Sequence, residues 1–159
     1  MALEISSQAG IGEPHEPHVK LVANMHGNEP SGRELLLRFG EMLLTQHGTD
    51  PLITALLEHT HIFIVPTLNP DGFEAGWRNN KNRIDLNRNF PDQFLDPKED
   101  LARRQPETRA LMEFTRRYPF VMSVNMHEGD LVVNYPFDGN PEARNRYSKV
   151  RTLFAENTC

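Results

Sequence analysis

The chain has 159 residues, enough for one domain with a hydrophobic core and too few for two comfortable ones. With 38% hydrophobic and 25% charged residues and a net charge of -5, it is a globular chain rather than a disordered one, and nucleic acid is not its expected partner. No apolar run reaches the length of a membrane span, and the lone cysteine, Cys159, cannot form an internal disulfide.

Met1-Ala2-Leu3-Glu4 begins no signal peptide, because neither a basic start nor an apolar run comes after it. Residues 6–18 are rich in Ser, Gly, Pro and His and read as a loop. Val19 to Asn24 is a short apolar run, expected to be a buried strand. In Glu34 to Leu44 the residues Leu35, Leu36, Phe39, Met42 and Leu43 recur at helical spacing and predict one buried face. Asp50-Pro51 reads as an N-cap followed by proline at the first helical position, with Leu52, Ile53, Leu56 and Leu57 inward. Ile62 to Val65 is β-branched and aromatic, a strand signal. Asn69-Pro70-Asp71-Gly72 is a turn by composition. Gly76 to Asp100 is polar and aperiodic, a long surface segment of the kind that carries function. Pro106 to Arg117 predicts a helix with Ala110, Leu111 and Phe114 inward. Phe120 to Asn125 predicts a strand, and Leu131 to Tyr135 a further one. This alternation implies an α/β layer fold with a largely parallel sheet flanked by helices, in a single domain over residues 1–159.

His26 and Glu29 fall just past the first of the apolar strands, and His127 just past the strand that starts at Phe120. In open α/β sheets, ligand sites form beyond the carboxyl ends of strands, so the three side chains can converge there. Two imidazoles and a carboxylate with an open fourth position make a catalytic zinc site. His-x-x-Glu alone is a weak signal in a chain with 7 histidines. Its setting is more specific. Asn24-Met25-His26-Gly27-Asn28-Glu29 sits between a strand and an amphipathic helix, Asn69-Pro70-Asp71-Gly72-Phe73 comes after the next strand, and Asp85-Leu86-Asn87-Arg88-Asn89-Phe90-Pro91 lies in the polar segment.

With these segments the sequence resembles the zinc metallocarboxypeptidases, in particular the branch containing carboxypeptidases D, E and M. The resemblance runs from about Glu4 to about Asp138. It implies a carboxypeptidase-like fold, one zinc ion, and release of C-terminal residues from peptides and proteins with a free C-terminus. His26, Glu29 and His127 match the zinc ligands. Arg78 matches the arginine that polarises the scissile carbonyl, and Asn87 and Arg88 match the pair that grips the terminal carboxylate. Asp138 matches an acidic residue lining the pocket for the C-terminal side chain, which implies a preference for Lys or Arg. Phe137-Asp138-Gly139-Asn140 is also good turn chemistry, the competing reading of that residue. An arginine fork suits a free carboxylate, and a guanidinium near the carbonyl stabilises developing charge. The branch works in the secretory pathway or outside the cell.

The sequence departs from the family in two ways. The family's general-base glutamate and a closing tyrosine lie far downstream of the third ligand, and neither is matched here. The expectation is therefore of an incomplete domain, weakly active or inactive alone, since general-base catalysis contributes about 10²–10⁴-fold. The second departure is Glu128, where the branch usually has glycine. It reads as a substitute base, an extra ligand or an exposed side chain, and alternation along an extended segment turns it away from the metal. Two other functional readings stay open. One is a non-catalytic protein that holds peptide C-termini through Asn87 and Arg88. The other is a zinc acylase or deacylase on the same fold, which the Asn-Pro-Asp-Gly and Asp-Leu-Asn-Arg-Asn-Phe-Pro segments argue against.

Overall fold

The computed structural model describes residues 1–11, 16–92 and 100–134. The chain divides into two compact units, Met1–Glu128 and Gly129–Cys159. In the first, the elements run β1 (Leu3–Ile5), β2 (His18–Ala23), α1 (Ser31–Gln46), α2 (Pro51–Glu58), β3 (His61–Val65), α3 (Pro70–Ala75), 3-10 turns at Leu86–Arg88 and Leu101–Arg103, α4 (Pro106–Arg117) and β4 (Phe120–Met126). In the second unit, residues 129–134 form neither helix nor strand, so the strand expected from Leu131 is absent among the described residues.

Among the described residues, four strands form one sheet in the order β1-β3-β2-β4. β2 runs parallel to both β3 and β4, and only β1, on the edge, is antiparallel to its neighbour. The expected α/β fold with a largely parallel sheet is therefore present. Side chains alternate between the two faces of the sheet. Leu21 and Ala23 of β2, Ile62 and Ile64 of β3 and Ile5 of β1 pack against Leu36, Phe39 and Leu43 of α1 and Ile53 and Leu57 of α2. Val22 and Val65 point the other way and pack with Met25, Leu68, Leu86, Leu111, Phe90 and Phe114. Both faces are covered, which is why β3 reads as an unbroken apolar run and is buried throughout.

The helices bury narrower faces than the apolar pattern implies. On α1 the buried stripe is Gly32, Leu36, Gly40 and Leu43. Leu35 and Met42 each precede a member of that stripe by one residue and so point about 100° away from it. They are 54% and 42% exposed. α2 is only eight residues long and meets the core mainly through its last turn: Leu57 is buried, whereas Leu52 is 76% exposed. Its start is as expected, with Asp50 accepting from the amides of Leu52 and Ile53. On α4 the buried residues are Thr108, Leu111 and Met112, and Ala110 is exposed.

The segment from Asn69 does not stop at a turn. Asn69 is the N-cap of α3, accepting from Gly72 N–H at 2.9 Å, and Pro70 takes the first helical position. Turns and helix starts share these residue types, and the continuation through Phe73 to Ala75 makes this one a helix. No helix among the described residues is long and apolar enough to cross a membrane.

Candidate metal centre

β2 ends at Ala23, and the next residue, Asn24, takes a left-handed conformation with φ of 54°. Asparagine tolerates this region better than most residues. Its fully buried side chain then donates to the carbonyls of His26, Gly27 and Glu29 at 2.9, 3.2 and 3.2 Å, and so curls the loop around itself. Asn69 braces that loop from β3's side by donating to Met25 O at 3.2 Å and to Arg78 O at 3.4 Å. Gly27 N–H also donates to Arg78 O at 3.3 Å. A Cβ on Gly27 would lie 2.0 Å from the carbonyl carbon of Gly72. No side chain fits between these two backbones.

This curled loop presents His26 and Glu29 together, and the end of β4 brings His127 to them. His26 Nδ1 lies 2.9 Å from Glu29 Oε1, His127 Nδ1 lies 2.9 Å from Glu29 Oε2, and the two Nδ1 atoms are 3.2 Å apart. One donor atom from each of the three residues falls within 4.8 Å of the others, and among the described residues they are the group of this kind that could hold a metal ion. Donors bonded to zinc at about 2.0–2.1 Å in tetrahedral geometry stand about 3.3 Å apart. The two Nδ1 atoms stand at 3.2 Å, each has a Glu29 oxygen at 2.9 Å, and the two-imidazole, one-carboxylate set is a zinc set, so these residues fit the metal.

The surrounding groups fix the orientation of each candidate ligand. His26 is 2% exposed, and its Nε2 lies 2.9 Å from Asp85 Oδ1. His127 Nε2 lies 2.8 Å from Asn125 Nδ2, two residues back on the same side of β4. Asp85 is itself held as the cap of the Leu86–Arg88 turn, accepting from Asn87 N–H at 2.8 Å. Arg78 spans the two carboxylates, with Nη1 3.0 Å from Glu29 Oε1 and Nε 3.2 Å from Asp85 Oδ2. Burial pushes the Glu29 carboxyl up, but hydrogen bonds from His127 and the Glu128 amide, with the charges of His26 and His127, hold it below its ordinary value. Asp85 is likewise held low: burial opposes ionisation, and His26, the Asn87 amide and Arg78 outweigh it. Both are carboxylates at neutral pH, the form that accepts hydrogen bonds or binds a cation.

Of the residues expected at the site, the structure gathers His26, Glu29, His127 and Arg78. Asn87 and Arg88 are exposed on the turn that Asp85 caps, and the Arg88 Nη1 donates to Asn87 O at 3.0 Å. Asp138 lies outside the described residues. Asp85 and Asn125 join the site without having been expected there. Asp85 opens the Asp-Leu-Asn-Arg segment, and Asn125 stands at strand spacing before His127, so the signal for both was their position beside a candidate ligand. An apolar groove of about 420 Å³ between β1 and α1, lined among others by Leu3, Ile5, Leu36 and Leu44, includes none of these residues.

A family model described as zinc carboxypeptidase matches residues 1–158. The chain belongs to the zinc carboxypeptidase family. It is 50% identical over 159 residues to carboxypeptidase D of Rattus norvegicus, covering 92% of this chain and 11% of that protein. It is 47% identical over 145 residues to carboxypeptidase SOL1 of Arabidopsis thaliana, covering 91% of this chain and 29% of that protein. The chain thus spans a minor part of the curated relatives it matches. Among solved structures, a metallo-carboxypeptidase from Burkholderia cenocepacia superposes with a TM-score of 0.69 at 24% identity, over 98% of this chain and 40% of that one. This last likeness speaks for the zinc carboxypeptidase fold alone.

Proposed function

We propose that this chain carries the zinc-binding part of a metallocarboxypeptidase that releases C-terminal residues, preferentially Lys or Arg, from peptides and proteins. The observation that carries the reading is the convergence of His26 Nδ1, the Glu29 carboxylate and His127 Nδ1 from two strand ends 101 positions apart in sequence. His26, Glu29 and His127 would hold one zinc ion, which supplies Lewis acidity toward a carbonyl oxygen. Asp85 keeps the His26 ring turned so that Nδ1 faces the centre. Arg78 brings a guanidinium beside Glu29, where it favours negative charge developing on a substrate oxygen. Arg88 offers a planar fork suited to the two oxygens of a C-terminal carboxylate, with Asn87 beside it. The preference for basic residues rests on Asp138 as read from the sequence. The secretory or extracellular setting implied by the family resemblance is part of the same proposal.

The test is hydrolysis by the zinc-loaded protein of matched peptides ending in Lys, Arg, Leu and amidated Lys. Without the general base, turnover by this chain is expected to be weak at most, with any release being of Lys and Arg ahead of Leu, none from the amide, and none at all in His127→Ala. Equal cleavage of the amide would remove the carboxylate-reading role of Arg88. Peptide binding that depends on a free C-terminus, without turnover, would favour a non-catalytic binding protein.

A further inference from the structure

We infer that Glu128 is a positioning residue that locks the end of β4 to the start of α1 and so holds two of the three candidate zinc ligands at their separation. The inference rests on the zinc-site reading above. α1 begins with an unusual deficit: its N-cap is Pro30, which has no side-chain oxygen, and no side-chain cap closes from that position. The first amides of a helix lack intrahelical partners and need an acceptor from elsewhere. Glu128 supplies one from across the sheet, its Oε1 accepting from Ser31 N–H. A carboxylate at this end also suits the positive pole of the 16-residue helix.

The same residue makes a second bond in the opposite sense. Its own backbone N–H donates to Glu29 Oε2 at 3.2 Å. Glu29, Pro30 and Ser31 are consecutive, so the two bonds form a closed ring: ligand carboxylate to Glu128 amide, Glu128 carboxylate to the helix amide two residues past the ligand. His127, the third ligand, is the residue before Glu128. Rotation or retreat of β4's end would break both bonds together. This geometry also answers the question the sequence raised. The Glu128 carboxylate is committed to the helix start, whereas the carboxylate facing the two Nδ1 atoms is that of Glu29. Glutamine can accept from Ser31 N–H through its amide oxygen, whereas alanine cannot.

The experiment measures zinc affinity by chelator competition on the full chain and its Glu128→Ala, Glu128→Gln and Asp50→Ala variants, with thermal unfolding of each metal-free form. Asp50→Ala removes a comparable cap from α2, away from the candidate ligands. The expected result is a zinc dissociation constant raised about tenfold in Glu128→Ala, as for other groups that orient metal ligands. Glu128→Gln should stay within about threefold of the parent, since the hydrogen bond survives. Asp50→Ala should lose stability without losing zinc. Equal affinity in the parent and Glu128→Ala, or a loss in Asp50→Ala as large, overturns the inference. A loss in Glu128→Gln as large as in Glu128→Ala also overturns it, because that pattern belongs to a ligating carboxylate. A parent chain that takes up no zinc refutes the site reading itself, a result distinct from all of these.

Discussion

Asp85 Oδ1 lies 2.9 Å from Nε2 of His26, on the opposite edge of the ring from the Nδ1 that faces Glu29. The carboxylate fixes both the rotation of the imidazole and which nitrogen carries the proton, leaving Nδ1 free to bind a cation. Asp85→Ala is expected to lower zinc affinity by about 10- to 100-fold. Asp85→Asn, whose carbonyl still accepts from Nε2–H, should lose less. Competition with a chromophoric chelator measures both, and equal affinities in all three proteins would remove Asp85 from the site.

Gly27 and Gly72 meet backbone to backbone. A methyl group at residue 27 would sit 2.0 Å from the Gly72 carbonyl carbon and 2.4 Å from its oxygen, and neither backbone can yield without moving the ligand loop or α3. Gly27→Ala is expected to destabilise the fold by more than about 3 kcal/mol, the range of the severe steric and backbone mechanisms. It should also abolish zinc binding in whatever folds. A melting temperature within a few degrees of the parent's would show that the loop has more room than the structure gives it.

His61 is 1% exposed and sits between two carboxylates, with Nδ1 2.7 Å from Glu4 Oε1 and Nε2 2.7 Å from Glu16 Oε2. It ties the edge strand β1 and the approach to β2 onto β3, and His18 stacks on its ring at 4.6 Å. His61→Leu leaves two half-buried carboxylates without their common partner and is expected to cost about 3–5 kcal/mol. Adding Glu4→Gln and Glu16→Gln should recover part of that loss. The pair lies at the start of β3, at the end of the sheet away from the candidate ligands, so zinc affinity at temperatures where the variant is folded should not change. Urea unfolding with and without zinc checks both statements.

Lys20 is buried, bonds Thr115 Oγ1 at 2.5 Å and lies over the Phe120 ring. Burial lowers its pKa below the ordinary 10.5. In the window between that lowered value and the ordinary one, the unfolded chain binds more protons than the folded one, so this group's contribution to stability rises with pH there. Below the window the lysine is charged in both states and the full cost of burying the charge applies. Lys20→Met should therefore gain most over the parent at neutral pH, with the gain shrinking toward pH 10.5. Denaturant unfolding across this range tests it, and a difference that does not vary with pH would mean that the amine is not desolvated.

Strands and helices were legible because they bury residues: the all-apolar β3 and the periodic α1 and α4 leave a direct trace. The extent of each buried face was not, since Leu35 and Leu36 are alike in type and only the tilt of α1 on the sheet separates them. The metal candidates His26, Glu29 and His127 could be picked out because ligand chemistry restricts residue type. The residues that hold them could not. Asn24, Asn69 and Asn80 are almost fully buried, yet asparagine is ordinarily a surface or turn residue. Their role is to satisfy loop carbonyls and amides that exist only once the chain is folded. Glu128 was conspicuous in the sequence, but its partner was not, since that partner is the amide of Ser31 and an amide leaves no mark on the sequence.

β2 and β4 are hydrogen-bonded neighbours in parallel register from His18 with Phe120 to Ala23 with Met126, and the candidate ligands beyond their ends are 101 positions apart in sequence. Pairing strands so far apart in sequence is entropically slow, because the loop between them must close before the β2–β4 contacts reward the chain. His26 and Glu29 share one loop and can come together early, whereas the third donor exists only after β4 docks. A half-folded chain therefore offers an ion two donors and a weak grip. Tight uptake of metal would mark the docking of β4, and a kinetic trace of metal capture would time that step.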